Sequence, residues 1–246
     1  MKKLLAFVLC CAMCFSFSAC GDEEPSQELN NDTIRIQQEE PTKPESKTDY
    51  ETTVYPVKTW VNSIGTPYAQ IIVGVKNTGN SNLYLSSGTM DLEDASGALF
   101  ASRNLVSVFP EIIAPGETAY YYEEAMLDSP APSDLTVIPH IDVEEAYIDM
   151  IRCPVTDVTI GTTDYGEIKV MGRVENTTGE DQQMLYVSVM LFGSDGNPLG
   201  NVFNILEIPA DDKMGFECVS LSFPEGITAD DVASYTAFAY PVQFQF

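Results

Sequence analysis

An internal repeat constrains this chain more than any other feature. After Asp49, short segments recur at a spacing near 98. Tyr55-Pro56-Val57 returns as Cys153-Pro154-Val155, and Tyr68-Ala69-Gln70-Ile71 as Tyr165-Gly166-Glu167-Ile168. Val75-Lys76-Asn77-Thr78-Gly79 returns as Val174-Glu175-Asn176-Thr177-Thr178-Gly179. Asp94-Ala95-Ser96-Gly97 matches Gly193-Ser194-Asp195-Gly196, and Asp142-Val143 matches Asp231-Val232. The matches are short, but their order and spacing agree. They describe a tandem pair of domains, 49–150 and 151–246, rather than a solenoid of small units.

Each copy reads as all-β. Ile168, Val170, Gly172 and Val174 alternate with Lys169, Met171, Arg173 and Glu175, the period-two pattern of a half-buried strand. Ile71, Val73 and Val75 follow the same phase in the first copy. The matched segments make the first copy two residues shorter between Tyr68 and Asn77 than the second is between Tyr165 and Asn176. A two-residue difference keeps side chains on the same faces. Leu185, Val187, Val189 and Leu191 form the next inward row, with Tyr186, Ser188, Met190 and Phe192 opposite, and Ser194–Pro198 is a turn signal. Turn clusters at Asn77–Asn82, Asp94–Gly97, Pro115-Gly116 and Asp128–Asp134, with their second-copy counterparts, divide each module into about seven strands. That count and length predict two tandem immunoglobulin-like β-sandwiches.

The chain before the repeat reads as an address and a spacer. Lys2 and Lys3 precede an apolar run from Leu4 to Phe17, a secretory signal over residues 1–19. The run is shorter than the ~20 apolar residues needed to cross a bilayer. Phe17-Ser18-Ala19-Cys20 resembles a bacterial lipobox, with Phe17 in place of the usual aliphatic residue. The resemblance implies that Cys20 carries a diacylglyceryl group and becomes the mature N-terminus, anchoring the chain to the membrane. Two acyl chains hold a protein durably, where one is marginal. A plain secretory peptide that happens to contain Cys20 is the alternative. Residues 20–48 are predicted to be a disordered acidic tether: Gly21–Thr48 holds eight acids, three bases, three prolines and few apolar residues.

Of six cysteines, Cys10, Cys11 and Cys14 fall in the signal segment and Cys20 in the lipobox, which leaves Cys153 and Cys218. Sequence alone does not bring their Cα atoms within the ~7 Å that a disulfide requires, and two buried free thiols are the favoured expectation.

Composition excludes several functions. Twelve Lys and Arg face 37 Asp and Glu, a net charge of −25. Both copies share the acidity: three bases against fifteen acids in 49–150, and four against fourteen in 151–246. Such a surface does not displace counterions from nucleic acid, and it favours a cationic partner over an anionic one. His140 is the single histidine and has no nucleophile motif beside it, so it reads as a surface or interstrand residue. No GxSxG, HExxH, Walker or CxxC pattern occurs, and no cofactor or metal site is expected. The acid clusters Asp91/Glu93/Asp94, Asp142/Glu144/Glu145, Asp211/Asp212 and Asp230/Asp231 read as solvated loops without EF-hand spacing. Calcium or small-ligand binding by these loops is the alternative, and a hydrolase using Asp142 and Asp231 a more distant one.

Two aromatic segments are the weak binding candidates. Tyr120-Tyr121-Tyr122 lies in a predicted strand, so Tyr120 and Tyr122 share a face that would be exposed if Tyr121 faces the core. Phe238, Tyr240, Val242, Phe244 and Phe246 share a face of the last strand, and Phe244 and Phe246 could overrun the module as an apolar tip. Trp60 is expected in the core. The last strand of copy one is expected to run through Pro154 into copy two, giving a stiff rod.

The second copy's order of strand, Asn-Thr, acidic loop, alternating strand and Asp-Gly turn is similar to the FxLYD type of immunoglobulin-like domain found in bacterial lipoproteins. Met90-Asp91-Leu92-Glu93-Asp94 keeps that motif's Leu and Asp, and Val189-Met190-Leu191-Phe192-Gly193 keeps its Leu and an aromatic. Ala114-Pro115-Gly116-Glu117 resembles the family's Pro-Gly-Glu turn, and Pro209-Ala210-Asp211-Asp212 is a looser match. The resemblance spans Tyr50 to the C-terminus and implies a cell-surface module without catalytic residues. The expectation is a non-enzymatic lipoprotein on the extracytoplasmic face of a bacterial membrane, whose modules bind or space an envelope component.

Overall fold

Alternating strands joined by glycine turns pair antiparallel throughout the computed structural model, which describes residues 48–132, 134–220, 223–224 and 226–242. The predicted signal segment, the tether, Cys20, Phe244 and Phe246 lie outside the described residues, Thr48 excepted. The first half contains β1 (Tyr50–Val54), β2 (Lys58–Val61), β3 (Pro67–Asn77), β4 (Leu83–Leu85), β5 (Gly88–Glu93), β6 (Leu99–Val106), β7 (Val108–Phe109), β8 (Ile112–Ile113), β9 (Thr118–Met126), β10 (Thr136–His140) and β11 (Val143–Glu145). The second contains β12 (Val155–Thr162), β13 (Ile168–Glu175), β14 (Gln182–Phe192), β15 (Pro198–Ile208), β16 (Lys213–Val219) and β17 (Ser234–Pro241). The helical segment among the described residues is one 3-10 turn, Ala229–Asp231.

The pairing order of the two halves is alike in part. In the first half β1 and β2 pair with β3, which pairs with β9. In the second, β12 pairs with β13, which pairs with β16. The facing sheets repeat as well: β10-β5-β6 in one half and β17-β14-β15 in the other. Each half is a sandwich around its own apolar core, and in the first half a third sheet, β11-β4-β8, adds Leu83, Leu85 and Ile113 to that core. Ile71, Val73, Leu92 and Tyr121 fill the first, and Val170, Val174, Val189 and Leu191 the second. Among the described residues the first half has eleven strands and the second six, against about seven expected in each; β15 runs unbroken through the region that the first half divides into β6, β7 and β8.

Asn77 and Asn176 occupy the same place in both copies and are 0% exposed. Each Nδ2 donates to a carbonyl four residues on, Ser81 or Glu180, and to a carbonyl across the sandwich, Ile113 or Ile208. Each Oδ1 accepts the backbone N–H two residues on, from Gly79 or Thr178. The turns at Asp94–Gly97 and Gly193–Gly196 also match: Gly97 donates to Asp94 O and Gly196 to Gly193 O.

Three other sequence matches are overturned. Gly65 and Gly166 close equivalent turns, donating to Asn62 O and Thr163 O at φ +85° and +88°. Tyr165 therefore corresponds to Ile64 at a turn tip, not to Tyr68 inside β3. From that turn to the buried Asn, the first copy is longer rather than shorter. Pro56 separates β1 from β2 partway along β3, whereas Pro154 precedes β12; the comparable break in β12 is a bulge beside Asp157, whose φ is +55°. Asp142 lies between β10 and β11, while Asp231 precedes β17, so the two acids are not equivalent. Short motifs of common residue types match by chance at such a spacing.

The copies do not form an end-to-end rod. Residues 146–154 between β11 and β12 are outside strands. The described residues belong to one compact unit, in which the outer face of β3 and β9 packs on the outer face of β14 and β15. Ile72, Tyr120 and Met190, flanked by Tyr55, Tyr122 and Phe192, form a third apolar cluster there. The result is three apolar clusters, one inside each half and one between the halves. Trp60 is also corrected: it is half-buried on β2, an edge strand, stacked on Tyr68 with ring centroids 5.4 Å apart.

Cys153 and Cys218 are both buried and unbridged. Cys218 is opposite Val170, whereas Cys153 adjoins β12 at the end where Val155 pairs with Val174. Four residues along a strand separate those levels by ~13 Å, too far for a disulfide. Burial, and then Glu217, push the Cys218 thiol up to about 12.

Candidate functional site

The aromatic candidates converge on the seam between the sandwiches. Tyr121 points into the first core and its Oη donates to Ser86 O at 2.7 Å. Tyr120 and Tyr122 share the opposite face, as alternation requires. They are not a freely exposed platform: Tyr120 is buried against the second sandwich and Tyr122 is half-buried beside it. The Tyr120 ring meets Phe192 edge-on at 5.8 Å, and burial, followed by Tyr55, pushes its phenol up to about 12. Tyr122 Oη donates to Glu124 Oε1 at 2.5 Å and accepts from Gln70 Nε2 at 3.3 Å. Burial first, then Glu124, hold the Tyr122 phenol well above its ordinary value. Gln70 is itself buried and donates across the seam to Leu199 O at 3.0 Å.

A second part of the seam combines aromatic rings with charge. Phe109 on β7 stacks on Phe203 of β15 at 5.4 Å and meets Tyr186 of β14 at 6.3 Å. Tyr186 meets Tyr240 of β17 at 5.9 Å. These four rings border a cavity of 130 Å³ together with Glu111, Val108, Ser87 and Ser107. Desolvation raises the Glu111 carboxyl above the usual carboxylate range. Beside this cluster, Arg152 donates to Ile112 O, pairs with Glu117 at 3.6 Å, and places its guanidinium 5.3 Å from the Phe238 ring and 5.6 Å from the Tyr240 ring. Arg152 thus joins the link to both sandwiches. Sequence reading missed Phe109, Glu111, Arg152, Tyr186 and Phe203, whose proximity depends on how the copies pack.

Several acidic candidates serve local structure. Asp94 Oδ1 accepts from Ser96 and Ala98 in its turn, and the Ser96 hydroxyl leads the interactions that lower its pKa. Asp195 is held down by Asn197 and Asp231 by Thr228, each first through a backbone N–H. His140 is exposed on β10 with Nε2 3.0 Å from Asp91 Oδ2, a cross-strand contact. Hydrogen bonding from Ser102, ahead of His140, lowers the Asp91 pKa. Among the described residues, no three His, Cys, Asp or Glu side chains are grouped to hold a metal.

Three larger cavities are open to the surface. One of 610 Å³ lies between the free edges of β1 and β10, lined by Val54, Tyr55, Leu135 and Ile138. One of 360 Å³ adjoins Arg152 and Tyr235, and one of 350 Å³ adjoins Tyr122 and Asn201. No protein-family model matches the chain, and a comparison with curated proteins finds no relative.

Proposed function

We propose that this protein is a non-enzymatic lipoprotein, held on the extracytoplasmic face of a bacterial membrane through Cys20, whose paired sandwiches bind or space an envelope component. The carrying observation is Ser18-Ala19-Cys20 placed directly after a basic head and a short apolar run. The FxLYD resemblance supports the same setting. Asp94, Asp195 and Asp231 cap turns, which supports a structural role for these acids in place of a catalytic one. The acidity carried by both copies favours a cationic partner.

Replacement of the lipidation residue tests the anchor. In Cys20→Ala, the protein should leave the membrane fraction for the medium or accumulate as the unprocessed precursor. Unchanged membrane extraction and gel mobility would reject lipidation. Crosslinking from intact cells then identifies the envelope component.

A further inference from the structure

We propose that the ring-lined cavity at the seam is a cage for an alkylated ammonium group. Phe109, Tyr186, Phe203 and Tyr240 come from four strands of both sandwiches and surround one space with the Glu111 carboxylate. Ring faces carry negative potential and attract a cation within ~6 Å of the centroid. A carboxylate beside the rings adds a full charge in a partly desolvated site, where electrostatic attraction exceeds its value in water.

Two further observations fit a cation. The cluster already receives one from the chain itself, since Arg152 lies 5.6 Å from the Tyr240 ring centroid. Glu117 answers the Arg152 charge, whereas Glu111 has no basic partner among the described residues. A guest cation would supply that partner, and the net charge of −25 would raise its local concentration.

Size and lining narrow the class. The cavity holds 130 Å³, roughly four waters at ~30 Å³ each, which suits a compact headgroup. Four of the eight lining residues are aromatic, with Ser87 and Ser107 as the hydroxyl groups outside the phenols. A fully alkylated ammonium has no N–H hydrogen bonds to surrender and gains contact with the rings, while Glu111 balances its charge. The cage adds a ligand class to the binding function proposed above. It does not depend on the lipid anchor, so failure of the Cys20 test and failure of this one are distinguishable.

The test is calorimetric titration of the full-length protein in a non-cationic detergent with tetramethylammonium chloride, referenced to sodium chloride at equal ionic strength. The expected result is saturable binding of one cation per chain. Glu111→Gln and Phe203→Leu should each weaken it at least tenfold with an unchanged circular dichroism spectrum. Phe203 is 51% exposed, so its replacement spares the cores. Choline and glycerophosphocholine distinguish the source. Tighter binding of the second assigns a lipid headgroup, tighter binding of the first a free solute, and equal binding leaves the ammonium as the recognised group. Absence of saturable tetramethylammonium binding, or wild-type affinity in both folded variants, overturns the cage.

Discussion

At the scale of single residues, the two buried asparagines show what the duplication preserves. Asn77 and Asn176 each tie a turn to the strand across the sandwich with one side chain. Removing such a side chain leaves buried backbone carbonyls without a donor, at about 1–3 kcal/mol for each group left unsatisfied. Asn176→Ala should therefore destabilise the second sandwich by about 3 kcal/mol, and Asn77→Ala the first by a similar amount. Urea unfolding measures both; losses below about 0.5 kcal/mol would mean that water replaces the amide. Asn77 and Asn176 were aligned correctly in the sequence because a repeated Asn-Thr within a strand-end pattern is informative. Tyr68 and Tyr165 were aligned wrongly because tyrosine suits both an exposed turn tip and a strand.

At the scale of elements, period-two alternation located β13 and assigned its inward face correctly: Ile168, Val170 and Val174 are buried while Met171 and Arg173 are exposed. The same rule misled for β3 and β14. Their outward residues Ile72 and Met190 are buried too, because another sheet covers that face. The signal was available as near-continuous apolar runs, Ile71-Ile72-Val73 and Val189-Met190-Leu191, the mark of strands buried on both sides. Gly172 shows how closely one element fits the next. A Cβ at that position would lie 2.7 Å from the Phe216 ring and 3.1 Å from Thr156 O. Phe216 is its cross-strand partner and fills the second core. Gly172→Ala should cost about 1–3 kcal/mol through displacement of that ring, although alanine suits a strand better than glycine does. Thermal unfolding reads the effect, and an unchanged or higher midpoint would show that Phe216 moves aside freely.

At the scale of the whole molecule, two copies are held together by a seam built as a core is built. The candidate site was legible only in part, since the sequence marked Tyr120 and Tyr122 as aromatic surface but carried no signal for the surface that meets them. Self-association of the two copies accounts for both exposures at once: the outer face of β3 and β9 and the outer face of β14 and β15 each remove the other from water. If the seam is a separate apolar contact, a charge placed in it should part the sandwiches without melting either one. Met190 is the position for this test. It is 3% exposed, belongs to the seam cluster, and alternates with Val189 and Leu191, which face the second core. A lysine there would place an unpaired ammonium among apolar groups at a cost of several kcal/mol, relieved when the seam opens to water. Met190→Lys should raise the radius of gyration measured by X-ray scattering and split one calorimetric transition into two. Leu191→Ala is the control: it excavates the second core, lowers that sandwich's stability by about 2–5 kcal/mol and leaves the seam closed. A single transition with an unchanged radius in Met190→Lys would mean that the link around Arg152 holds the stack without help from the seam.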